Sequence, residues 1–173
     1  MLFSFLSVII ILEVDNMKKK RVLFISSNGG HLNELLQLEP LFNKYNSYIM
    51  TEKTPTTEGL VKKYNNVSYL LYGTRHHLLK YLFILFANCW ISLYNYLKIR
   101  PSVIVTTGTH TAGPMCCIGK IFGSKVIFIE TFANINTKTS TGRLIYPIAD
   151  LFIVQWEDML DVYKDATYGG WIF

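Results

Sequence analysis

Short apolar runs alternate with segments of helical spacing along most of this chain. The runs Val22–Ser26, Ser47–Thr51, Val67–Leu71, Val103–Thr106, Val126–Ile129 and Leu151–Val154 show little apolar/polar alternation, as expected of strands buried on both faces. Between them the pattern predicts helices at about His31–Tyr45, Thr57–Tyr64, His76–Leu97, Ala112–Phe122 and Gly142–Ile148, with Pro40 kinking or ending the first. A repeated strand-helix-strand order predicts an α/β fold with a Rossmann-like parallel sheet and right-handed crossovers. No internal repeat, low-complexity tract or long linker interrupts it, so 17–173 reads as one domain.

Two glycine turns fall where a strand should feed a helix. Ser26-Ser27-Asn28-Gly29-Gly30-His31 follows the first strand, and Thr107-Gly108-Thr109-His110-Thr111-Ala112-Gly113-Pro114 follows the fourth. Glycine lets backbone N–H groups approach a ligand closely, and the helix behind each turn directs its positive dipole end at the same place. Two such turns from one parallel sheet lie at its carboxyl edge, where open α/β sheets bind ligands. A diphosphate or a sugar suits such a place. His31 and His110 add titratable groups, and Glu130 sits just past the fifth strand on the same edge. Ser140 or Thr141 is expected to cap the helix carrying Arg143. Each candidate also has a structural reading: a helix-start histidine, a turn glycine, or an ion pair of Glu130 with Arg143 or Lys125.

The segment Arg75–Arg100 has its own pattern. Arg75, Lys80, Lys98 and Arg100 bracket an interior, Tyr81–Leu97, that carries no charge. Its strongly polar members Asn88, Ser92 and Asn95 share one helical face, and Trp90, Tyr94 and Tyr96 supply amphipathic aromatics. Three readings stay open: a helix lying in the headgroup region, a core helix over the sheet, and a membrane span. Composition adds to the first. Half the residues are hydrophobic, mean hydropathy is +0.25 and formal net charge is +5. The cations adjoin apolar runs, which favours an anionic membrane surface over nucleic acid. His76 and His77 read as headgroup or solvent contacts.

Residues 1–16 form an apolar extension, too short for a span of roughly 20 residues. Either it is a membrane-dipping anchor, or Met17-Lys-Lys-Lys-Arg21 marks the start of the protein. The three cysteines, Cys89, Cys116 and Cys117, read as buried thiols of a reducing cytosol. No metal-ligand spacing is present, and neither metal nor cofactor is expected.

Ser27-Asn-Gly-Gly-His31, Gly108-Thr-His-Thr-Ala-Gly-Pro114, Glu130-Thr-Phe-Ala133, Ser140-Thr-Gly-Arg143, Tyr146 and Leu151-Phe-Ile-Val-Gln-Trp156 occur in this order. In that order they resemble bacterial capsule and exopolysaccharide proteins that act as the non-catalytic enhancer of a galactosyltransferase-type subunit. The chain is also similar to the membrane-recruiting subunit of the two-part eukaryotic N-acetylglucosaminyltransferase acting on dolichol-linked sugar. More distantly, it resembles the N-terminal half of the enzyme that adds N-acetylglucosamine to the lipid-linked peptidoglycan precursor. The resemblance runs from about Lys18 to the C-terminus. It implies the N-terminal half of a GT-B glycosyltransferase, inactive alone, whose catalytic partner binds most of a UDP-linked donor. The acceptor would be a polyprenyl-diphosphate-linked saccharide at the cytoplasmic face of the plasma membrane.

The same resemblance places Asn28, Gly29, Gly30 and His31 near the reacting diphosphate and sugar, and Gly108, Thr109, His110 and Gly113 near the lipid diphosphate. Glu130 falls in the same cleft. The residue chemistry makes His31 and Glu130 the candidate bases for an acceptor hydroxyl. Arg75, Lys80, Trp90, Lys98 and Arg100 are the candidate membrane contacts. The first turn lacks the extra upstream glycines of the longer enzyme; Ser26 and Ser27 stand there instead. Two other functions compete: a stand-alone nucleotide-binding Rossmann enzyme, for which Glu52 would hold a ribose, and a membrane scaffold without substrate contact. The first lacks the G-x-G-x-x-G fingerprint.

Overall fold

A computed structural model describes residues 20–73 and 78–172, with the backbone alone for Leu78. The apolar extension at 1–16, Arg75, His76, His77 and Phe173 lie outside the described residues.

Seven parallel strands form one sheet in the order β3-β2-β1-β4-β5-β6-β7. They are β1 (Arg21–Ile25), β2 (Asn46–Glu52), β3 (Val67–Leu70), β4 (Val103–Thr106), β5 (Lys125–Ile129), β6 (Leu151–Val154) and β7 (Thr167–Tyr168). The helices are α1 (Gly30–Leu36), α2 (Glu39–Phe42), α3 (Leu60–Lys63), α4 (Leu78–Ile99), α5 (Gly113–Ile121), α6 (Ser140–Ile145) and α7 (Met159–Val162). The strand order runs outward on one side of β1 and then returns to β4 on its other side. The β1/β4 boundary is therefore the topological switch point, where the crossovers diverge and leave a crevice.

The core explains the unbroken apolar runs. In β1, Val22 and Phe24 pack on one face with Leu35, Leu38, Leu41 and Phe42 from α1, α2 and their link. Leu23 and Ile25 pack on the other face with Tyr96 and Ile99 of α4 and with Met115 and Cys116 of α5. With both faces covered, alternation disappears from the sequence.

The six strands expected from the pattern are present within a residue of their expected ends; β7 and α7 were not expected. The first helix is broken in two. Pro40 sits in the first turn of α2, where its missing N–H and fixed φ are tolerated. Residues 57–59 form hydrogen-bonded turns rather than helix, leaving α3 only four residues long. Thr57 is buried there, donating to Glu52 O at 2.7 Å.

The polarity of α4 is inverted. Asn88 and Ser92 are buried against the domain. Asn88 accepts from Leu71 N at 2.8 Å and donates to Leu71 O at 2.9 Å, completing the backbone bonds where β3 ends. The opposite face exposes Leu79, Leu82, Phe83, Phe86, Trp90, Tyr94 and Leu97, with Phe83 76% and Trp90 60% accessible. One face of the segment thus covers the sheet, as the core-helix reading has it, while the opposite face stays open. Lys80, Lys98 and Arg100 are exposed near the two ends of the stripe. Ile121 and Phe122, at the end of α5, extend the exposed apolar surface, and the Phe122 ring stacks on Tyr96. The three cysteines are free thiols; Cys116 is buried, and burial pushes its thiol well up.

Candidate functional site

The two glycine turns meet at the switch point. Ser27 N donates to Gly108 O at 3.3 Å. Gly29 has φ +90° and Gly108 φ +99°, left-handed values that favour glycine. Asn28 braces the first turn: its Oδ1 accepts from Gly29 N at 2.8 Å, and its own N–H donates to Glu52 at 3.2 Å. Gly30 opens α1, with open space around the position of an added methyl group.

His31 crosses to the second turn. Its Nδ1 lies 2.8 Å from Thr107 O, and Thr107 Oγ1 returns a bond to His31 O at 2.7 Å. A carbonyl only accepts, so the ring proton sits on Nδ1 and the neutral imidazole keeps its lone pair on Nε2. The ring packs against Gly108, where an added Cβ would lie 3.5 Å from it. His31, Thr107, Gly108, Thr109, Phe128, Glu130, Thr131, Thr139 and Thr141 line one small cavity of about 70 Å³.

Glu130 enters this cavity from the end of β5 and is only 2% accessible. Its carboxylate accepts from Thr131 N at 3.1 Å, Thr139 Oγ1 at 3.0 Å and Tyr163 OH at 3.2 Å. Burial pushes its carboxyl above the usual range against those three donors, and the Glu34 charge adds to the rise. Burial and the adjoining Glu130 push the Tyr163 hydroxyl up in turn. The ion pair of the alternative, structural reading of Glu130 does not form: Lys125 binds Asp150 at 2.9 Å, and Arg143 is exposed. The cap of α6 is Thr139, whose Oγ1 accepts from Gly142 N at 2.9 Å, rather than Ser140 or Thr141. Thr139 therefore links Glu130 to the start of α6.

Gly113 lies within the first turn of α5, buried where a Cβ would meet Leu144 at 3.3 Å; its observed contact is packing. His110 is half-buried, and its ring stands edge-on to Tyr81 of α4 at 5.3 Å. The exposed stripe of α4 thus begins beside the second turn. Glu52, the candidate ribose ligand, is 3% accessible and occupied by backbone N–H donors from Asn28 and Gly73. Burial raises its carboxyl while those donors lower it. A carboxylate beneath the first turn disfavours phosphate there.

Glu34 was missed from the sequence, whereas Gln155 and Trp156 belong to the motif series quoted above. Glu34 Oε1 accepts from Thr131 Oγ1 at 2.7 Å and from Phe132 N at 3.2 Å; its i,i+3 spacing from His31 was the available signal. Gln155 Nε2 donates to Glu130 O at 2.9 Å. Trp156 Nε1 donates to Phe132 O at 2.8 Å, and its ring joins Phe132 and Trp171 in an aromatic cluster. Among the described residues, no group of three His, Cys, Asp or Glu side chains is arranged to hold a metal.

A family profile described as "Oligosaccharide biosynthesis protein Alg14 like" matches residues 21–172. The chain belongs to the Alg14-like family. Among individual relatives, the UDP-N-acetylglucosamine transferase subunit ALG14 of Mus musculus is 27% identical, over 87% of this chain and 82% of its own. The corresponding Homo sapiens subunit is 22% identical over 92% and 86%, and that of Candida albicans 40% identical over 43% and 36%.

The fold of this Alg14-like chain is shared more widely. MurG of Acinetobacter baumannii superimposes with a TM-score of 0.64 at 15% identity, over 80% of this chain and 42% of MurG. UDP-N-acetylglucosamine 2-epimerase of Rickettsia bellii gives 0.65 at 10%, over 87% and 43%. The chain spans less than half the length of these structures. It has the Rossmann-like architecture of one half of a GT-B protein, as expected.

Proposed function

We propose that this Alg14-like chain is the accessory subunit of a two-part glycosyltransferase. In this reading it presents a polyprenyl-diphosphate-linked saccharide to a separate catalytic subunit at the membrane. The meeting of both glycine turns at the switch point, with His31 bonded across them, carries this reading. It joins the acceptor-side loops into one surface at the carboxyl edge of the sheet.

His31 Nε2 is the proposed base for the acceptor hydroxyl. Glu130 has three donors already and orders Thr131, Thr139 and Tyr163 around the cavity. Asn28, Gly29 and Gly30 form the sugar side. Gly108, Thr109 and His110, ahead of the nine-residue α5, form the diphosphate side, and the α5 dipole favours the anion. Gly113 supports that turn by packing. The exposed stripe of α4 is the proposed membrane surface, with Lys80, Trp90, Lys98 and Arg100 at the headgroups and Arg75 assigned there from the sequence. Because α4 packs lengthwise on the domain through Asn88, Tyr96 and Ile99, it suits lying in the interface better than crossing the bilayer. The cytoplasmic face of the plasma membrane is the proposed location.

The relatives' names make UDP-N-acetylglucosamine the first donor to test. UDP-galactose is the second, for the capsular or exopolysaccharide role implied by the sequence resemblance. The chain and a candidate catalytic subunit are assayed apart and mixed, with each radiolabelled donor and a polyprenyl-diphosphate-linked saccharide. Transfer is expected only in the mixture and from one donor. Full turnover by this chain alone refutes the accessory role. A stand-alone Rossmann enzyme finds no support in the site, since Glu52 is occupied by Asn28 and Gly73.

A further inference from the structure

Glu34 lies one helical turn beyond His31 and touches both sides of the site. Its Oε1 holds the loop after β5 through Thr131 Oγ1 and Phe132 N. Its Oε2 is buried without a hydrogen-bond partner, 3.7 Å from His31 Nδ1. A buried carboxylate oxygen without a donor costs stability, and here its negative charge lies beside the nitrogen that carries the ring proton. Two acceptors, Thr107 O and the Glu34 carboxylate, thus flank Nδ1 and leave Nε2 as the ring nitrogen able to receive a proton.

We infer that Glu34 is a positioning residue for the transfer reaction. It acts through His31, holding the ring in its Nδ1–H form and in register with the loop that carries Glu130. It does not touch substrate. This inference rests on the proposed role of His31 as base.

The test uses Glu34→Gln, which keeps an oxygen for Thr131 and Phe132 but removes the charge and places an amide N–H₂ at Oε2. In the reconstituted pair, kcat is expected to fall about ten- to a hundred-fold, the scale of a small misplacement of a reacting group. The acceptor KM is expected to stay within about two-fold, since ground-state binding is untouched. The double variant with His31→Ala should be no slower than His31→Ala alone. In the isolated chain, the His31 Nδ1–H proton seen by NMR should exchange faster with water in Glu34→Gln than in the wild type. Equal losses with and without His31, or an unchanged Nδ1–H exchange rate, overturn the inference. If His31→Ala retains full turnover while the exchange rate still responds to Glu34→Gln, the catalytic part of the inference and the base assignment both fall; the physical hold of Glu34 on His31 is then upheld separately.

Discussion

Gly142 has no room for a methyl group. An added Cβ would collide with Tyr163 OH, Glu130 Oε2 and Thr139 Oγ1. Gly142→Ala is expected to cost about 1–3 kcal/mol, the range for overpacking, read as a lowered midpoint in urea unfolding. Glu130 makes a pH-dependent contribution. Its folded-state pKa is raised, so the native chain binds more protons than the unfolded one between the ordinary carboxylate value and the raised one. Stability therefore falls as pH rises through that window. Glu130→Gln should flatten this slope, with Glu52 supplying a remainder of the same sign; denaturation midpoints across pH check it. At this scale, Gly29, Gly108 and His31 were legible because glycine turns after apolar runs have a local signature. Thr139 was not, because its neighbours Ser140 and Thr141 offer the same capping chemistry; Glu34 was not, because its partners Thr131 and Phe132 lie far away in sequence.

Along the elements, α4 carries the clearest reversal. Periodicity put Asn88, Ser92 and Asn95 on one face but left open which face meets the domain; the Asn88–Leu71 pair decides it. Asn88→Ala leaves two backbone groups unpaired and is expected to cost about 2 kcal/mol. By contrast, changing Phe83, Phe86 and Trp90 to Ser should leave the unfolding midpoint nearly unchanged, because all three are exposed. The same triple variant should lose much of its binding to anionic liposomes. Replacing Lys80, Lys98 and Arg100 with Gln should weaken that binding by about 1 kcal/mol per cation and reduce its salt dependence. Unchanged liposome binding by both variants would contradict the membrane assignment. Pro40 marked a real break, but β7 and α7 escaped notice: two- and four-residue elements are too short to establish a period.

For the whole molecule, strand order followed from the alternation of runs and helices, and the crevice followed from strand order. Trp171, 60% exposed at the edge of the Phe132–Trp156 cluster, makes the C-terminal segment the proposed partner-facing edge; aromatics dominate such contacts. Trp171→Ala, which leaves the buried Ile172 in place, is expected to lower co-purification with the catalytic subunit, and undiminished co-purification would move the interface elsewhere. The central claim is that this chain lines the acceptor site rather than merely carrying its partner to the membrane. The most direct measurement is the turnover of the reconstituted pair containing His31→Ala, at limiting acceptor. Intact assembly and a loss of about ten-fold to a thousand-fold are expected. Intact assembly with wild-type turnover would make the chain a scaffold and contradict the account.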